Sequence, residues 1–154
     1  MPMHYVIKKE IGKKKRILQP LLPNLFFVYT TRERADLIVK KKGDETPIIK
    51  YYLDKIKPKE ANGKHPPLTI SSESMMNFIK ATSTESKHVR IVSPEQCHYK
   101  SGDIVKVIGG EFEGVTGKVA RIAGQQRVVV EISGLCLVAT AYIPTDFIRK
   151  ENEF

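Results

Sequence analysis

The stretch from Lys100 to Val119 constrains this chain most, because it joins a β-strand, a glycine-studded turn and a second strand in one legible unit. Gly102-Asp103 opens the first strand, Gly109-Gly110 ends it, Phe112 sits between Gly110 and Gly114, and Gly117 restarts a β pattern at Lys118-Val119. Tight turns and bulges of a small β-structure need positive φ or close backbone approach, and glycine meets either demand at least cost. A strand-turn-strand core therefore anchors the C-terminal third of the chain.

With 154 residues and 41% hydrophobic residues, the chain can bury one ordinary core or two small ones, and its two stretches of different character favour two. No apolar run approaches the length of a membrane span, and His4, Lys8, Lys9 and Glu10 leave no apolar centre for a signal peptide. Cys97 and Cys136 lie far apart outside any CxxC pair, so they read as isolated thiols; Cys97-His98 would need two further ligands to hold a metal. The net charge of +9 favours polyanions, and its distribution says more. Residues 1–92 carry 19 Lys and Arg against 9 Asp and Glu, whereas residues 93–154 carry 7 against 8. The nucleic-acid-facing charge thus belongs to the first part, and the near-neutral second part suits protein contact or few phosphate contacts.

The pattern along the chain predicts a hairpin with a basic tip: a strand from His4 to Glu10, a turn at Ile11 to Lys14, and a returning strand from Lys15 to Gln19. Leu25 to Tyr29 is a short apolar and aromatic run that predicts a buried strand. Thr30 to Glu33 has capping-box spacing, Ala35, Ile38 and Val39 follow at helical intervals, and Gly43 is expected to end that helix. A strand is expected over Ile48 to Leu53 and a solvated loop over Lys55 to Pro67. Ser71 or Ser72 caps a short helix whose inner face is Met75, Phe78 and Ile79, and Val89 to Val92 forms a strand that closes the first unit. Ser93-Pro94 marks a linker at 93–98. Beyond the glycine-rich hairpin, Val128, Val130 and Ile132 alternate with Val129 and Glu131, a strand runs from Leu137 to Ile143, and Phe147-Ile148 supplies one more, which suits a small closed barrel over 99–154.

The glycine-rich segment, through Gly102, Asp103, Gly110, Phe112, Gly114 and Gly117, resembles a KOW motif. A basic hairpin, the run Leu22-Pro23-Asn24-Leu25-Phe26-Phe27-Val28, a helix and a C-terminal KOW unit, in that order, resemble a NusG-type transcription elongation factor. The resemblance implies an α+β fold, with an antiparallel ferredoxin-like N-terminal sheet and helices over 1–92 and an SH3-like KOW barrel over 99–154. It also implies that the family's first strand and long helix, which precede the segment beginning at Met1, are missing, leaving an incomplete first domain with an uncovered sheet edge. The family grips RNA polymerase with the motif matched by Leu22, Pro23, Asn24, Phe26, Phe27 and Val28; Leu25 stands where Tyr is usual. Leu22, Leu25 and Phe27 are the expected docking residues, presented by Pro23 and Asn24. Asn24 in place of Gly, and Ala139-Thr140-Ala141-Tyr142-Ile143-Pro144, are closer to specialised paralogues, above all the UpxY-type antiterminators of capsular polysaccharide operons. Ser133 replaces the aromatic with which general NusG proteins dock Rho or the ribosomal small subunit.

The expectation is therefore a non-enzymatic antitermination factor of the bacterial cytoplasm, partnered by RNA polymerase, by DNA or nascent RNA at the elongation complex, and by a protein on its barrel. Lys13, Lys14, Lys15 and Arg16 are expected on phosphates. The alternative is a ribosomal or ribosome-associated RNA-binding KOW protein. His4, His65, His88 and His98 have no ligand spacing and no P-loop or nucleophile elbow occurs, so no catalytic residue, cofactor, metal or small-molecule substrate is expected.

Overall fold

The computed structural model describes residues 3–40, 49–86 and 88–151. In chain order the elements are β1 (Met3–Glu10), β2 (Lys13–Pro20), α1 (Arg32–Lys40), α2 (Ser72–Thr82), β3 (Arg90–Val92) and β4 (His98–Val107). They continue with β5 (Thr116–Ile122), β6 (Gln125–Ile132), β7 (Cys136–Ala139) and β8 (Ile148–Lys150). The fold is mixed α+β. Among the described residues the sheets are the antiparallel pair β1-β2 and a six-stranded sheet in the order β3-β7-β6-β5-β4-β8. The chain forms two compact units, Met1–Pro23 with Ile70–Phe154, and Asn24–Thr69.

In the first unit, β1 and β2 pair along their full length about Ile11 and Gly12, whose φ angles of 43° and 75° are both positive. A two-residue connection of that kind matches the right-handed twist of the strands it joins. In the six-stranded sheet β6 is covered on both faces: Val128, Val130 and Ile132 face one cluster while Val129 faces Ala120, Ile122, Val92 and Cys97 on the other. The alternation expected across β6 thus gives way to a buried run over 127–130, as in strands flanked by packing on both sides, and returns at exposed Glu131 and buried Ile132. Arg127, also buried, donates to the carbonyl oxygens of His88 (3.0 Å) and Thr140 (2.7 Å) and to Gln125 Oε1 (2.8 Å).

Ser71 caps α2 by accepting the Ser74 N–H at 3.1 Å. The helix lays Phe78 and Ala81 into the first cluster, and Thr82 is buried as well. Ile79, expected on that face, is exposed, while Met75 packs at the margin. The Asn77 side-chain amide clasps the backbone of Thr116, donating to its carbonyl at 2.5 Å and accepting its N–H at 2.8 Å. Leu21 and Val89 join the same cluster, and β3 pairs with β7. These contacts explain why the chain does not divide at the linker expected over 93–98: Pro94–Gln96 is a 3-10 turn inside the unit, braced by the Ser93 N–H on Gln96 Oε1 at 2.9 Å.

In the second unit Thr31, one residue later than the expected box, accepts the Arg34 N–H and starts α1. Asp36 on α1 accepts from the Tyr51 hydroxyl at 2.7 Å and pairs with Arg32 at 3.2 Å. The strand expected over Ile48–Leu53 is reduced, within the described residues, to one bridge between Leu53 and Pro67. Gly43 lies outside the described residues. Buried Asp54 organises the loop that follows by accepting the N–H groups of Ile56 (3.1 Å) and Lys57 (3.4 Å). The strand expected over Leu25–Tyr29 does not form. That segment joins no ladder, and Phe26, Val28 and Tyr29 are 60%, 52% and 101% exposed. Aromatic and β-branched residues favour a strand only where a pleated partner surface receives them.

Candidate functional site

The expected basic residues Lys13, Lys14, Lys15 and Arg16 lie at the start of β2, all exposed. The register sets Lys8 opposite Lys15 and Lys9 opposite Lys14, so β1 contributes two further exposed cations that the residue pattern alone did not mark. Like charges directly opposite in an antiparallel pair are unfavourable. An anionic partner removes that penalty. The only signal in the sequence was the spacing itself: once the turn is set at Ile11-Gly12, the pairing follows.

The five expected docking residues divide between the two units. Leu22 is partly buried against the first unit's core and Pro23 is exposed beside it in sequence; Asn24, Leu25 and Phe27 belong to the second unit. Asn24 adopts φ 58°, a left-handed conformation that Asn tolerates better than most residues. Leu25 is half-buried and Phe27 is 36% exposed. Because no strand forms here, the burial expected of this run does not hold. Phe26, Val28 and Tyr29 are more open than Phe27, giving four large apolar residues in a row at the surface. Sequence reasoning placed all four in a buried strand.

The residues singled out in the glycine-rich segment have structural work that each can be given a cause for. Gly102, Gly110 and Gly114 have φ angles of 75°, 80° and 83°. Gly117 lies in β5 where a Cβ would meet the Val129 carbonyl oxygen. Phe112 is buried in the first cluster, so it is a core residue and not a contact surface. Asp103 pairs with Lys150 at 3.0 Å, and that hydrogen bond, helped by Ser101, holds its carboxyl below the usual range. Ser133 is exposed in the turn between β6 and β7.

Cys97 and Cys136 are free thiols. Burial raises both, Cys136 to about 11, which leaves little thiolate near neutral pH. Among the described residues no cluster of three or more His, Cys, Asp or Glu could hold a metal ion, and no helix is long and apolar enough to cross a membrane. No protein-family model matches the chain, and no curated protein and no solved structure matches it either.

Proposed function

We propose that this chain is a NusG-type transcription elongation or antitermination factor that works by binding alone, holding RNA polymerase through the segment around Leu25 to Tyr29 and nucleic acid through the β1–β2 hairpin. The narrower reading, a paralogue of UpxY type acting on long operons such as those for polysaccharide biosynthesis, rests on Asn24 and the Ala139–Pro144 run. The observation that carries the proposal is the exposed series Phe26, Phe27, Val28 and Tyr29 after a left-handed Asn24. Contiguous apolar surface of this kind marks a site that another molecule covers.

Capture of core RNA polymerase by the full chain is the test. Phe26→Ala, Val28→Ala and Tyr29→Ala should each leave the melting curve nearly intact, since exposed side chains contribute little to folding. Combined, they should weaken capture by at least about 2 kcal/mol, roughly thirty-fold. Leu22→Ala is a control for packing and should lower stability instead. Unchanged capture by the triple variant defeats the docking assignment. Salt-dependent binding to ribosomal RNA without polymerase capture reverses the reading in favour of a ribosome-associated KOW protein.

A further inference from the structure

Ile11 is fully exposed and held at φ 43° at the tip of the hairpin. A β-branched residue is a poor choice there, because left-handed turn positions favour Asn, Asp or Gly. Backbone strain retained at an exposed tip points to a use for the side chain. Behind Ile11 the register places Glu10 opposite Lys13, opposite in sign, then Lys9 opposite Lys14 and Lys8 opposite Lys15. Facing residues project to the same side of a two-stranded ribbon and successive ones to opposite sides, so each face carries one pair of lysines. The tip is apolar and near neutral. The doubly positive pairs follow two and three residues back, about 7 and 10 Å at roughly 3.4 Å per residue.

That profile is complementary to a DNA major groove. The groove is about 12 Å wide and 8.5 Å deep, admits a two-stranded ribbon, and presents one apolar group at its floor, the thymine methyl. A tip resting on the floor brings both lysine pairs level with the phosphates of the two walls. A single strand has one phosphate chain and would leave one lysine face idle, and the major groove of duplex RNA is too narrow to enter. We propose that the β1–β2 hairpin enters the major groove of duplex DNA tip first, with Ile11 against a thymine methyl and Lys8, Lys9, Lys14 and Lys15 on the phosphates of both walls. The inference rests on the nucleic-acid half of the proposed function and names its ligand.

The experiment measures affinity of the full chain for a short thymine-rich DNA duplex and for the same duplex with uracil in place of thymine, across a salt series. The wild type should prefer thymine by about four-fold, the value of one buried methyl. Ile11→Asn should melt no lower, because Asn accepts the left-handed conformation more readily, and should bind both duplexes equally. Replacing Lys8, Lys9, Lys14 and Lys15 with Gln should weaken both duplexes alike and flatten the salt dependence by roughly 0.9 for each phosphate that is no longer neutralised. Equal binding of the wild type to the two duplexes, a thymine preference that survives in Ile11→Asn, or tighter binding to single strands or to RNA overturns the proposal. Polymerase capture by the same proteins separates the two ideas. Capture without a thymine preference defeats the groove proposal alone, and a thymine preference without capture upholds it while defeating the transcription reading.

Discussion

A Cβ built on Gly117 would stand against the Val129 carbonyl oxygen and 2.8 Å from Val128 Cγ1. The obstacle is mostly backbone, and a strand already paired with its neighbour cannot yield as a flexible side-chain tip would. Gly117→Ala should therefore destabilise by about 3 kcal/mol, the upper end of the usual range for overpacking, read as a lower midpoint in urea. Gly102 offers the contrast: its built Cβ meets open space, and only the φ of 75° opposes a side chain. Gly102→Ala should cost about 1 kcal/mol, the strain of a left-handed residue alone. If the two substitutions prove equal, close approach is not the reason for Gly117. The glycine spacing in the sequence announced such demands but not which demand fell on which residue, because approach between β5 and β6 depends on a pairing that local pattern does not encode.

At the scale of elements, β8 is a three-residue edge strand held to β4 by its ladder and by Asp103 on Lys150. The Asp103 carboxyl titrates below its ordinary value, so the ion pair stabilises fully above the unfolded-state pKa and is lost as pH falls through the lower folded one. Wild type should accordingly exceed Asp103→Asn in stability at neutral pH, with the difference shrinking below the ordinary aspartate range; a gap that is constant with pH in urea melts would show the pair to be idle. Elements with strong local signals were legible in advance: the hairpin from its turn, α2 from Ser71 and Phe78, β5 from the pattern that restarts at Gly117, and β6 from Val128, Val130 and Ile132. Failures came where the outcome depends on a distant partner. Leu25 to Tyr29 has strand composition without a strand beside it, and β3 pairs with β7 across more than forty residues and so leaves the unit it was expected to close. The strand expected to run to Ile143 stops at Ala139, where the Thr140 hydroxyl accepts the Val128 N–H at 3.0 Å in place of a ladder carbonyl. The candidate site was half legible for the same reason: composition marked the cations of β2, but only the register joins Lys8 and Lys9 to them.

For the first unit as a whole, the decisive question is which residues complete its core. Val128, Val130, Ile132 and Val138 present an apolar face from the six-stranded sheet, and Phe78, Ala81, Val89 and Leu21 cover it. Phe78 is only 1% exposed. Removing an aromatic of that kind costs roughly 3 to 5 kcal/mol, and loss of the whole helix also uncovers the valines and frees the Thr116 backbone from Asn77. Such losses approach the entire stability of an ordinary domain, about 5 to 15 kcal/mol. A fragment of residues 93–154, the linker expected over 93–98 together with the barrel expected over 99–154, should thus lack a cooperative melt and self-associate through the uncovered face. Extending it to residues 70–154 restores α2, Val89 and β3 and should recover a single cooperative transition in both heat and urea, weakened by the absence of Leu21. Were the shorter fragment to melt as sharply as the longer one, α2 would be a neighbour of the sheet and not part of its core, and the division at 93–98 would stand after all.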